Sequence, residues 1–241
     1  MPNKRLNKPH RIDMKNNFFI PFKGKNYECG VGTKKKKILI IGASFYCPFI
    51  NGNDDCKKCT DINLKDSGPY DKECKIYKSK GKTLHNEPTY SIKDETTTYK
   101  RFATSISKFV GTDDYEKIWS HLSFTNYVQF ILPVEEGKKY RETKESDLSP
   151  RDFNAFLDVV TELKPDIVIV WGCVVNTPIK NNKYLIDKKE LIKTDGYVCH
   201  LSIPNIDHKI CIINSYHPSS KHYWYNNLKI FQDYLSKQLM L

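Results

Sequence analysis

Four apolar runs punctuate an otherwise polar, lysine-rich chain: Ile38-Leu39-Ile40-Ile41 before Gly42, Leu122 to Val128, Ile167-Val168-Ile169-Val170-Trp171 before Gly172, and Ile210-Cys211-Ile212-Ile213. The first and third show no polar alternation, the pattern of parallel strands covered on both faces. Helical periodicity separates them. Ser149 is an N-cap candidate, Pro150 suits a first turn and Asp152 favours the helix dipole. Behind them Phe153, Phe156, Leu157, Val160 and Leu163 recur at helical spacing until Pro165. A second helix is expected over residues 96–110, with Tyr99, Phe102, Ala103, Ile106 and Val110 on one stripe, and a third over residues 225–241 through Leu228, Phe231, Leu235 and Leu239. Strands alternating with helices predict a three-layer α/β/α sandwich around a central, mostly parallel four-stranded sheet.

Residues 44–94 break this alternation. They are rich in Lys, Asp, Asn, Gly and Cys and lack an apolar period. A structureless loop of that length is uncommon in a compact domain unless something staples it. Four of the eight cysteines offer the staple: Cys47, Cys56, Cys59 and Cys74, spaced C-x8-C-x2-C-x14-C. Four thiolates satisfy Zn2+ in a tetrahedron, and a segment too polar for a core can take its order from metal. An iron–sulfur cluster uses the same ligand set, and free thiols in a surface loop are the plain alternative. Cys173, Cys199 and Cys211 lie in or beside apolar runs and read as core thiols.

Composition adds a charge asymmetry. The net charge of the 241 residues is +11, and residues 1–37 carry eleven Lys+Arg against Asp13 and Glu28. The basicity is thus an N-terminal feature, read either as an arm that contacts phosphates or as a solvated tail. Residues 1–37 are taken as this arm and residues 38–241 as one α/β domain carrying the 44–94 insertion. Phe18, Phe19, Ile20 and Phe22 suggest that part of the arm packs on the body. No run approaches a membrane span, and no apolar core follows the basic N-terminal residues, so an intracellular, cytoplasmic monomer is expected.

Ligands of open α/β sheets bind beyond the carboxyl ends of the strands. Those ends read Gly42-Ala43-Ser44-Phe45-Tyr46, Thr125-Asn126-Tyr127, Trp171-Gly172-Cys173 and Tyr216-His217-Pro218-Ser219-Ser220. In this order the set resembles the uracil-DNA glycosylase superfamily over roughly residues 37–235. The resemblance implies a DNA glycosylase that flips a uracil or another damaged or modified base out of the duplex and hydrolyses its N-glycosidic bond. It implies that His217 stabilises the departing base and that Asn126 reads its edge. Phe45 or Tyr46 would stack on it, and Ser44 stands where the family places an Asp or Asn to position water. Ser219, Ser220, Lys221, Tyr223 and Trp224 would contact or wedge the DNA. DNA is the implied partner, in the nucleoid.

The residue types suit that chemistry. The base leaves as an anion, which a nearby His can stabilise by hydrogen bonding. A carboxamide offers donor and acceptor together, as a pyrimidine edge requires. A flipped base needs an aromatic platform. Ser44 is the departure: a hydroxyl orients water but is no anionic base, and the next carboxylates are Asp54 and Asp55. Hydrolysis with hydroxyl-held water, use of a displaced carboxylate, and base binding without cleavage therefore all stay open, and a nucleic-acid-binding module of the same fold is the alternative function.

Overall fold

A computed structural model describes residues 19–46, 84–85, 97–132, 141–223 and 227–240. The four apolar runs become β3 (Ile38–Gly42), β6 (Leu122–Asn126), β8 (Ile167–Val170) and β11 (Ile210–Asn214). They lie side by side in the order β6-β3-β8-β11, each pair parallel. The expected four-stranded sheet is, however, the centre of a seven-stranded mixed one. Antiparallel β2 (Phe22–Lys23) borders β6, and antiparallel β10 (Val198–Leu201) and β9 (Leu191–Lys193) extend the other side. The added strands are two to four residues long and lie toward the edges. Such strands need no continuous apolar run, so they carry little pattern.

Side chains alternate across the sheet. Leu39, Ile41, Val168, Val170 and Ile212 enter one core cluster, with Phe156, Val159, Val160 and Leu163 of α3 (Pro150–Leu163). Ile38, Ile40, Ile167, Ile169 and Ile213 enter the opposite one. There they meet Phe102, Ala103 and Ile106 of α1 (Thr97–Val110), Ile118 and Trp119 of α2 (Tyr115–Ser120), and Phe231, Leu235 and Leu239 of α6 (Leu228–Leu239). Val175 and Ile179 of α4 (Cys173–Lys180) and Leu185 of α5 (Lys183–Asp187) complete the first cluster. Helices thus cover both faces. Each fully buried Ile, Leu or Val contributes about 1.5–3 kcal/mol relative to exposure, which accounts for the unbroken apolar runs.

Connectivity locates the working edge. β3 leads to β6 through α1 and α2 on one face, whereas β6 leads past β3 to β8 through α3 on the other. The chain therefore reverses its winding between β3 and β8. A crevice opens outside the carboxyl ends at such a switch point.

From Phe19 onward the basic N-terminal segment packs on the body, as its apolar residues Phe19, Ile20 and Phe22 predict, rather than standing off as an arm. Phe22 and Lys23 pair with Phe124 and Ser123, and Tyr27 is buried with its hydroxyl donating to the Leu163 carbonyl at 3.3 Å. Lys36 pairs with Asp166 at 2.8 Å, and Lys23 with Glu28 at 2.7 Å. Lys36 is thus neutralised by the body, and Lys23 by the segment's own Glu28. At the two ends of the 44–94 insertion, β4 (Phe45–Tyr46) pairs with β7 (Ile131–Leu132), and β5 (Leu84–His85) pairs with β1 (Phe19–Ile20). No helix among the described residues is long and apolar enough to cross a membrane.

Candidate functional site

Register brings the strand ends level. Gly42 pairs with Asn126, Ile41 with Val170, and Val170 with Asn214. The ladder continues into the loops: Tyr127 and Val128 donate to the carbonyls of Gly42 and Ala43 at 2.9 and 3.0 Å. Trp171 donates to Ile41 at 2.9 Å and Ser215 to Val170 at 3.0 Å. The four turns singled out in the sequence therefore leave one edge of one sheet, held by backbone pairing. This is why β6 ends at Asn126 rather than Val128: beyond it the backbone pairs with a loop.

Asn126 is 4 % exposed, and its side chain lies over Gly42. A Cβ on Gly42 would overlap the Asn126 Oδ1 and come within 2.8 Å of the Phe124 ring. Glycine is therefore needed there for the close approach. Among the described residues, hydrogen bonds reach the Asn126 backbone carbonyl but none engages its carboxamide. A carboxamide left without protein partners keeps its donor and acceptor available for a ligand.

His217 follows β11 in a turn whose entry is strained. Tyr216 has φ +59°, a left-handed backbone held by the Asn214 Oδ1, which accepts the Tyr216 N–H at 3.1 Å. Strain of this kind gathers at functional sites. The Ser219 N–H donates to His217 Nδ1 at 3.3 Å, so Nδ1 is the unprotonated nitrogen and the neutral ring carries its hydrogen on Nε2. Burial holds the imidazole below its ordinary pKa, favouring that neutral form. The ring stands on the edge of Trp171, with centroids 6.0 Å apart. Trp171 itself is core, packed among Tyr99, Phe102 and Phe124.

The other sequence candidates fall in different places. Ser44 is half-buried, and its hydroxyl is hydrogen-bonded to Thr143 at 2.8 Å. Phe45 meets Phe19 edge-on, with centroids 4.6 Å apart. Of Tyr46 the structure describes the backbone, in β4. Ser219 is exposed, and its hydroxyl pairs with Thr98 at the start of α1. Ser220 Oγ accepts the Tyr223 N–H at 3.2 Å, and Lys221 is exposed. Tyr223 corrects the sequence reading. Its ring is fully buried against Phe231 and its hydroxyl meets Ser105, so it belongs to the core and offers no surface to wedge a duplex. Cys173 is likewise not a core thiol but an exposed residue opening α4, whereas Cys199 and Cys211 are buried, their thiols pushed up to about 11 and about 12 by desolvation. Trp224 and the four expected metal ligands, Cys47, Cys56, Cys59 and Cys74, lie outside the described residues. Among the described residues no group of three or more His, Cys, Asp or Glu is placed to hold a metal.

Sequence reasoning missed the support behind Asn126. Gln129 and Asp152 are both 2 % exposed. Gln129 Nε2 donates to the Asn126 carbonyl at 2.8 Å, its Oε1 accepts the Phe19 N–H at 3.1 Å, and its own N–H donates to Asp152 Oδ1 at 2.7 Å. Asp152 Oδ2 accepts the Ser149 N–H at 2.8 Å, closing the start of α3. Desolvation raises the Asp152 pKa to about 6 despite these donors. The available signal was a glutamine inside the apolar stretch Tyr127-Val128-Gln129-Phe130. Scanned against protein-family models the chain has no match, and no curated protein matches it.

Proposed function

We propose that this protein is a DNA glycosylase of the uracil-DNA glycosylase superfamily, with that family's α/β/α sandwich, hydrolysing the N-glycosidic bond of a flipped uracil or other modified base. One observation carries the reading. At the switch point of the sheet, an unengaged carboxamide, Asn126, shares an edge with a neutral histidine, His217, whose Nε2 bears the hydrogen. The pairing suits a leaving group that is recognised along a polar edge and departs as an anion.

In this mechanism Asn126 pairs with the base edge and Phe45, backed by Phe19, offers a ring face. His217 donates from Nε2 to the base carbonyl oxygen as the C1′–N bond breaks. A neutral donor suffices, because the charge it answers develops only in the transition state. Exposed Lys221 and the exposed turn at Ser219 lie beside His217, on the side where phosphates would pass. The four clustered cysteines would hold Zn2+ and order the insertion next to Phe45, supplying structure rather than chemistry.

The engaged Ser44 hydroxyl, standing where the family places an Asp or Asn, favours one alternative, a module of the same fold that binds flipped bases without cutting. A single comparison separates the two. Purified protein is incubated in excess with oligonucleotides bearing uracil, hypoxanthine or hydroxymethylated cytosine, then treated with alkali. Strand breaks that vanish in His217→Ala while DNA binding persists support the glycosylase; binding without breaks in either protein supports the module.

A further inference from the structure

We infer that Thr143 is a positioning residue which, paired with Ser44, makes an uncharged two-hydroxyl holder for the attacking water. The inference rests on the glycosylase reading and answers the serine at position 44, where the family places an Asp or Asn. The Ser44 Oγ and Thr143 Oγ1 lie 2.8 Å apart, although 99 positions separate them in the chain. A lone serine hydroxyl turns freely about its C–O bond; one bonded to a fixed partner points in one direction. Whichever oxygen donates, Ser44 keeps at least one lone pair to accept from a water molecule.

Thr143 is fixed by what flanks it. Arg141 on one side makes a bidentate pair with Asp147, Nη1 to Oδ2 and Nη2 to Oδ1, both at 2.7 Å. The Lys144 N–H on the other side donates to the same Oδ2 at 2.7 Å. Asp147 is 2 % exposed, so a buried carboxylate grips the residues around Thr143. Ser44 is anchored as firmly: Gly42 and Ala43 before it accept from Tyr127 and Val128. Both hydroxyls therefore sit on rigid backbone at the carboxyl edge of the sheet, as a preorganised site requires.

An uncharged holder is enough for a dissociative hydrolysis. The C1′–N bond breaks first, and its electron pair leaves with the base, which His217 stabilises. The sugar becomes an oxocarbenium ion, a water lone pair forms the new C1′–O bond, and the water proton passes to the base anion or to solvent. Free base and an abasic sugar result, with no co-reactant but water. Such an electrophile needs water in place rather than a hydroxide. Misplacing a reacting group by about an ångström can cost on the order of 100-fold.

The test measures steady-state base release from the same three oligonucleotides by wild type, Thr143→Val and Thr143→Ser. The expected result is a kcat on the order of 100-fold lower in Thr143→Val with KM little changed, and recovery in Thr143→Ser, which restores the hydroxyl. Unchanged kcat in Thr143→Val, or a Thr143→Ser as slow as Thr143→Val, overturns the inference and leaves the glycosylase reading standing. A wild type that releases none of the three bases overturns that reading, and the inference falls with it.

Discussion

Gln129 and Asn126 are joined by a buried hydrogen bond from the Gln129 carboxamide to the Asn126 backbone carbonyl, 2.8 Å long. The same glutamine accepts from Phe19 and is held by Asp152, so one side chain ties the end of β6 to the N-terminal strand and to the start of α3. Phe19 in turn backs Phe45. Replacing Gln129 by Leu leaves the Asn126 carbonyl and the Phe19 N–H without this partner. The expected loss is about 1–3 kcal/mol of stability, measured by chemical denaturation, together with weaker binding of base-modified oligonucleotide. Unchanged stability would show that the buried network is dispensable.

Gly42→Ala tests the close approach directly. The added methyl must displace the Asn126 carboxamide or the Phe124 ring, at an expected cost of about 1–3 kcal/mol. Base recognition should suffer more than overall folding, since Asn126 moves first. A crystal structure with Asn126 unmoved would sink the explanation.

Asp152 gives stability a particular pH dependence. Its carboxyl holds a proton to about pH 6 in the folded chain, higher than an ordinary aspartate in the unfolded one. Between those two values the native state binds more protons, so this group's contribution is full at the acid end and is lost as pH rises toward 6. Unfolding free energies of wild type and Asp152→Asn should therefore diverge over that range, with wild type declining relative to the variant as pH rises. Parallel curves would refute the assignment.

If the glycosylase proposal holds, His217 should set the acid limb of activity. Burial lowers its pKa, so the neutral, donating form should persist below the ordinary histidine value of about 6.5, and base release should fall only under that pH. His217→Ala should lower the rate on the order of 100- to 1000-fold and abolish that limb. Circular dichroism across the same pH range separates titration of the ring from acid unfolding.

Tyr223 and the cysteine cluster make opposite cases. Tyr223→Phe removes the hydroxyl that meets Ser105 and should cost about 1 kcal/mol, leaving DNA affinity unaltered; a specific loss of affinity would return Tyr223 to the DNA interface. The chain of 241 residues, in contrast, is expected to carry about one zinc, held by Cys47, Cys56, Cys59 and Cys74, and chelation should lower its melting temperature. Metal analysis that finds neither zinc nor iron removes that staple.

The sequence alone determined the four central strands and the helices α1, α3 and α6. A strand covered on both faces needs an unbroken apolar run, and a covering helix needs an apolar stripe, so burial leaves a readable pattern. It also marked Gly42, Asn126 and His217 as strand-end residues. The edge strands and the short helices α2, α4 and α5 escaped because partial or local burial leaves a weaker pattern. The sequence hinted, through Phe19, Ile20 and Phe22, that part of the N-terminal segment joins the body, but only the tertiary structure decided how it pairs there and that Tyr223 is core while Cys173 is not. It alone set Thr143 against Ser44 and Gln129 beneath Asn126. Those are hydrogen bonds between single polar side chains and other segments of the chain, and such bonds depend on where folding brings backbone together rather than on any periodicity along it.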